Sequence, residues 1–148
     1  MKATLADAAI AGRFALAAFL GLVVGVEREY RGKAAGLRTF ALIALGAAAF
    51  TGIAIARFPT SGDRVIQGVV AGIGFLGAGI IFQREEGMVE GLTTAASIWS
   101  VAAIGVLIGS SAYVPGLVAT LLVLAILEID RLPALRRFKT RDQSEESG

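Results

Sequence analysis

Glu27, Arg28, Glu29 and Arg31 stand directly after an uncharged run, Phe14 to Val26. Glu27/Arg31 and Glu29/Lys33 lie four residues apart with the acid first, the order in which a helix pairs opposite charges best. A carboxylate beside a guanidinium at the edge of an apolar run can do one of two things. It can form a solvated helix end, or it can turn inward and bind a polar group from another segment. An ionisable side chain in an apolar medium is costly and marks function. Asp63 and Arg64 repeat the juxtaposition ahead of a second uncharged run, Val65 to Phe82, whose only strongly polar side chain is Gln67. Asp63 reads either as a helix cap, with Arg64 at an interface, or as an inward carboxylate that senses ions. Thr93, Thr94, Ser97, Trp99 and Ser100 open a third run. Such hydroxyls bond back to helix carbonyls by default, and Trp99 can fill a gap between glycine-rich helices. Glu85, Glu86 and Glu90 form an acidic loop: a weak attraction for magnesium, which prefers oxygen ligands, or plain solvation.

The chain excludes much other chemistry. It has no cysteine and no histidine, so disulfides, thiolate metal sites, imidazole relays and Ser-His triads are all ruled out. No nucleophile–base pair or phosphate loop appears, and no enzyme, resident metal or cofactor is expected. Gly72-x-Gly74-x-x-Gly77 matches the dinucleotide fingerprint literally. That motif requires a strand, a turn and a helix, whereas this copy lies inside an apolar run. Gly72, Gly74, Gly77 and Gly79 therefore read as a packing seam, or as a broken helix lining a cavity.

The elements that carry these residues are apolar runs of membrane length. The chain is 55% apolar over 148 residues, with mean hydropathy +0.73. A bilayer core of ~30 Å takes roughly 20 residues of helix. The runs predict an all-α, polytopic membrane protein with about five transmembrane helices: Ala8 to Val26, Thr39 to Ala56, Val65 to Phe82, Leu92 to Ile108, and Val114 to Ile129. Arg13 belongs to the first span and can snorkel to the interface. That span ends in Glu27-Arg28 and not in small residues, so it reads as a retained helix rather than a cleaved leader. Gly91 to Leu127 is uncharged for 37 residues. As one helix it would be ~55 Å long, so it is divided at the turn residues Gly109 to Gly116. Residues 1–130 form the membrane domain; 131–148 form a basic, then acidic, flexible tail.

Five spans put the termini on opposite sides. One side then holds ten cations (Arg28, Arg31, Lys33, Arg38, Arg84, Arg131, Arg136, Arg137, Lys139 and Arg141) and the other four (Lys2, Arg13, Arg57 and Arg64). The positive-inside rule places the tail in the cytoplasm and the N-terminus outside. Gly21/Gly25, Gly68/Gly72 and Gly105/Gly109 are small-xxx-small pairs in three different spans. Small residues let helix backbones approach closely where lipid removes the hydrophobic drive to associate. Each pair reads as packing within the chain or as a dimer face.

In order, GLVVGVEREYRGKAAGLRTFALIALGAAAF, DRVIQGVVAGIGFLGAGIIF and VEGLTTAASIWSVAAIGVLIGSSAY resemble the conserved blocks of the MgtC/SapB family, over about Gly21 to Tyr113. The resemblance implies a compact, oligomeric helical domain in a bacterial inner membrane. Members are linked to survival in low magnesium and inside macrophages, and one is described as restraining the F-type ATP synthase. The best-studied members are not regarded as magnesium transporters. By motif, the resemblance points to Glu27 and Arg28; Gly36, Leu37, Arg38 and Thr39; Asp63, Arg64 and Gln67; the glycines of span three; and Gly91, Leu92, Thr93, Thr94 and Trp99. Some virulence-linked members have Asn where this chain has Thr93. Longer members carry a soluble C-terminal regulatory domain in place of a short tail.

Two functions follow as expectations, beside a third reading as a small assembly subunit whose glycine faces only mediate oligomerisation. The first is a non-enzymatic membrane protein that modulates a membrane partner such as the ATP synthase, and with it membrane potential or adaptation to low magnesium. The second is a transporter or channel for a cation or small solute. The latter requires a polar site midway through the bilayer shared among Glu27, Arg28, Asp63, Gln67 and Thr93. The expected partners are the bilayer, a second copy of the chain (a dimer first), and another membrane protein; nucleic acid is not among them.

Overall fold

The computed structural model describes residues 2–58, 60, 62–83 and 89–129, with side chains from residue 7 onward except at 82, 83 and 89. Five helices follow one another: α1 (Lys2–Tyr30), α2 (Leu37–Arg57), α3 (Gly62–Ala78), α4 (Leu92–Gly109) and α5 (Tyr113–Glu128). Between α3 and α4, β1 (Phe82–Gln83) and β2 (Val89–Glu90) pair antiparallel, Phe82 opposite Glu90 and Gln83 opposite Val89. The fold is all-α but for this ribbon. α1, α2 and α4 are long and apolar enough to cross a bilayer, whereas α5 is apolar and shorter. Large apolar side chains such as Phe19, Phe50, Phe75, Leu121 and Ile126 are exposed along the helices. A water-facing surface rarely carries that much contiguous apolar area, but a lipid-facing one does.

Each helix boundary has a local cause. α1 runs one turn beyond the expected Val26 and takes in Glu27 to Tyr30. It ends where Gly32 adopts φ +61° and the amides of Lys33 and Gly32 donate to the carbonyls of Arg28 and Glu29. This closure favours glycine in the left-handed region. The same pair of bonds closes α4: Ala112 donates to Leu107 and Ser111 to Ile108, with Ser111 at φ +70°. Here a serine takes the left-handed position and divides the long uncharged run where its turn residues stand. α3 stops at Ala78, four residues short of the expected Phe82. The pairing of Phe82 with Glu90 takes this backbone out of the helix. α3 starts at Gly62, so Asp63 lies inside its first turn and exposed, not in the cap position.

The core is the contact of α1, α2 and α4, with Val24, Phe40, Ile98, Val101, Ile104 and Ile108 fully buried. Glycine sets its spacing. A β-carbon at Gly21 would lie 2.5 Å from the Phe40 carbonyl oxygen, and one at Gly25 would lie 2.6 Å from the Leu37 α-carbon. At Gly105 and Gly109 the distances are 2.5 Å to the Ala44 carbonyl oxygen and 2.6 Å to that of Ala48. Position 21 therefore faces 40–44 while 25 faces 37, so α1 and α2 are antiparallel. Position 105 faces 44 and 109 faces 48, so α2 and α4 are parallel. Dispersion at such short range carries the packing, since lipid competes as well as any side chain for apolar contact.

The third glycine pair behaves differently. Gly68, Gly72 and Gly74 have no heavy atom within 4 Å of where a β-carbon would sit, and Gly77 meets only Ala95, at ordinary contact distance. The reading of Gly68, Gly72 and Gly74 as a packing seam within the chain is corrected: they face outward. Gly79 lies in the turn that ends α3, close only to carbonyls of its own last turn.

Candidate functional site

The alternating helices bring the C-terminal ends of α1 and α5 and the N-terminal ends of α2 and α4 to one end of the bundle. There, charge goes inward. Arg28 is 2% exposed, and its Nη2 donates to the Thr94 hydroxyl of α4 at 3.3 Å. Its Nη1 lies 3.5 Å from Glu27 Oε2. The other Glu27 oxygen pairs with Arg31 Nε, and Arg31 Nη2 reaches Glu128 Oε2 at 3.2 Å. Two acids and two guanidiniums thus balance across α1 and α5, with a hydroxyl from α4. A buried charge is tolerable only when paired and bonded in this way. Ser97, one turn beyond Thr94, bonds back to the Thr94 carbonyl at 2.8 Å. Thr94→Val should leave Arg28 one acceptor short and cost about 1–3 kcal/mol, with Thr94→Ser retaining most of the stability; thermal melting in detergent reads both.

Around the cluster, backbone chemistry fixes the next helix. Gly36 has no side chain to cap α2, and Glu29 supplies the missing acceptor: its Oε2 takes the Leu37 amide at 2.8 Å. The expected Glu29/Lys33 pairing gives way to this bond, which places an anion at a helix N-terminus where the backbone dipole favours it. Gly91 begins α4 at φ +91°, and any β-carbon there would collide with the Ile80 carbonyl. Glycine at 91 is thus required twice over, and it locks the ribbon to the start of α4.

Not all the residues singled out from sequence converge. Glu27, Arg28 and Thr94 meet. Thr93 is exposed on the neighbouring face, and Arg38 and Thr39 are exposed on α2. Asp63, Arg64 and Gln67 are exposed on the first turns of α3, at the opposite end of the bundle. Trp99 is half exposed and borders a smaller apolar concavity with Ile66, Val69 and Val70 of α3, so it does not fill a gap in the core. Arg84, Glu85, Glu86, Pro59, Ser61 and the tail 131–148 lie outside the described residues. Among the described residues no three acids converge as metal ligands.

One participant was not singled out from sequence. Glu128 is the first charge after the long uncharged run, and that isolation was its only signal. At the other end of the bundle Arg13 donates through Nε to the Tyr113 hydroxyl at 3.2 Å and through Nη1 to the Gly109 carbonyl at 3.4 Å. It docks on the α4–α5 corner. Among the described residues the buried polar side chains between the two ends are hydroxyls alone: Thr51, Ser97 and Thr120, the last bonded to the Gly116 carbonyl within its own helix.

The family model for the MgtC family matches residues 14–134. Protein SrpB of Synechococcus elongatus is 42% identical over 129 residues, which cover 78% of this chain and 71% of that protein. Protein MgtC of Salmonella typhimurium is 48% identical over 108 residues, 73% of this chain and 46% of its own length. Protein MgtC of Brucella abortus is 45% identical over 120 residues, 80% and 48% respectively. The chain thus spans about half the length of the MgtC relatives it matches. No solved structure matches it. The matched region runs from the start of the uncharged part of α1 through the whole of α5 and holds every residue of the charge cluster; the chain is a membrane protein and belongs to the MgtC family.

Proposed function

We propose that the chain is a non-enzymatic regulator of the bacterial inner membrane. It acts by lateral contact on another membrane complex and so tunes membrane potential or adaptation to low magnesium. The F-type ATP synthase is the partner to which the family resemblance points. The N-terminus lies outside and the charged end of the bundle in the cytoplasm. Over the full sequence ten cations fall on that side of the five spans and four (Lys2, Arg13, Arg57 and Arg64) on the other, the bias that marks the cytoplasmic side.

One observation carries this reading: among the described residues the acids and cations of the cluster pair with one another, and the interior above it is packed mainly by glycine, alanine and aliphatic side chains, with isolated hydroxyls at Thr51, Ser97 and Thr120. A transporter needs polar groups lining a wet path near the bilayer midplane. Asp63 and Gln67, the residues that would extend the cluster into such a path, face away from it. The test is co-purification from native membranes in a gentle detergent, paired with ATP-driven proton pumping by inverted vesicles. The expected result is that ATP synthase subunits accompany the tagged chain and that pumping falls when the chain is present. Absence of any membrane partner would overturn the reading, as would cation flux above background in reconstituted liposomes.

A further inference from the structure

The outer face of α3 differs from that of α5. α5 turns bulky side chains outward, among them Leu117, Leu121 and Leu122, which suit lipid tails. α3 presents two adjacent rows at four-residue spacing: Asp63, Gln67 and Ala71, and beside them Arg64, Gly68 and Gly72. All six are exposed. Gly68 and Gly72 have nothing within 4 Å of their missing β-carbons. The rows end in the bulky Phe75 and Leu76.

Half of this face is polar, and that selects what covers it. Gln67 lies about 7 Å into α3 from Gly62 at 1.5 Å per residue. Among the described residues its amide bonds to nothing, and Asp63 and Arg64 have no ion-pair partner. Lipid tails cannot satisfy an amide. A second helix can, and small residues let it come close.

Symmetry identifies that helix. Copies of one chain insert in one orientation, because each carries the same cation asymmetry. A two-fold axis between two copies then runs along the bilayer normal, and α3 meets its counterpart in parallel at equal depth. Gln67 meets the other Gln67, each amide offering donor and acceptor. Asp63 and Arg64 are about 100° apart around the helix, one on each side of the contact line. The two-fold exchanges the sides, so each Asp63 faces the other copy's Arg64. The face is thus charge-complementary to itself. Its four-residue rows suit the right-handed crossing of about −40° that small residues permit.

We infer that this face of α3 is a two-fold interface between two copies of the chain, with Gly68 and Gly72 at the crossing and reciprocal Asp63–Arg64 pairs at its N-terminal end. The inference rests on both copies sharing one membrane orientation and is independent of any other protein partner.

The chain has no cysteine, so single cysteines report the face. In membranes of cells producing the whole chain, mild oxidation should link Ala71→Cys into a dimer and leave Leu121→Cys on α5 unlinked. Gly72→Leu added to Ala71→Cys should remove the crosslink without lowering the melting midpoint, since nothing in the same chain opposes position 72. Energy transfer between differently labelled copies, diluted with lipid, gives the affinity. Asp63→Arg alone and Arg64→Asp alone should each weaken the dimer about fivefold, the scale of two exposed ion pairs. The double reversal, Asp63→Arg with Arg64→Asp, should restore it, because the exchanged charges meet again across the axis. A helix cap or a headgroup contact would give no such rescue. Absence of the Ala71→Cys crosslink would overturn the inference, as would an equal crosslink at Leu121→Cys, a crosslink that survives Gly72→Leu, or a double reversal no tighter than the single ones.

Discussion

Replacing Glu27 with leucine should cost the folded chain about 3–5 kcal/mol, the usual penalty for stranding one partner of a buried ion pair. Glu27 serves two cations at once: Arg28 at 3.5 Å through one oxygen and Arg31 through the other. Arg31 keeps Glu128 when Glu27 is lost. Arg28, almost wholly buried, keeps only the Thr94 hydroxyl. The single substitution therefore leaves a guanidinium with no counter-charge where water cannot reach it. Adding Arg28→Met removes that charge as well, and the double variant should recover most of the loss. The double variant still lacks the Thr94 bond, so recovery is incomplete. Thermal midpoints in one detergent give the cycle. A penalty for Glu27→Leu of no more than ~1 kcal/mol, the scale of an exposed pair, would show that the cluster is hydrated. A double variant weaker than the single would show that Arg28 is held by something other than Glu27.

Gly105→Leu should be strongly damaging, as a substitution at a glycine where two core helices touch. Its first added carbon would lie 2.5 Å from the Ala44 carbonyl oxygen and 2.8 Å from the Ala47 β-carbon. The obstruction is backbone of a fully packed helix and not the tip of a flexible side chain, so α2 and α4 must separate. Overpacking of this kind costs about 1–3 kcal/mol even where neighbours can yield, and here the contact joins two of the three core helices. Gly72→Ala, at identical sequence spacing in another span, meets nothing within 4 Å. It should change stability by no more than about 1 kcal/mol, with the sign set by alanine's better helix propensity. The two variants are compared by melting midpoint and by the yield of monodisperse protein. Equal damage from both would mean that the α3 glycines are covered in the membrane by something absent from a single chain.

That contrast also marks how far sequence alone can reach. A four-residue spacing says that two glycines share a face of their helix. It does not say which face the neighbours cover, because that depends on helix rotation and on segments far along the chain. Gly21/Gly25 and Gly105/Gly109 turn inward and Gly68/Gly72 turns out, with nothing local to separate them. The helices themselves were legible because each is an uncharged run bounded by charges or turn residues, and the break between α4 and α5 fell where Ser110, Ser111 and Ala112 permit it. The early end of α3 was not legible, since it depends on pairing across the connection to α4. Arg28 was half legible. A cation at the end of an apolar run satisfies the positive-inside rule whether it faces water or the core. Its inward course rests on a hydroxyl 66 residues away. Glu128 completes the cluster from the far end of the described chain, and no local pattern announces it.

The joint formed by Glu27, Arg28, Arg31 and Glu128 sums to zero charge. An electric field does about 2.3 kcal/mol of work per 100 mV on each elementary charge carried through it, but it does no net work on a neutral group displaced as one body. Energising or collapsing the membrane therefore exerts a torque on this joint and no net pull. These four residues are anchored against voltage by their own neutrality, and among the described residues a voltage response of the helices has to be driven through cations at exposed helix ends such as Arg38, Arg57 and Arg64.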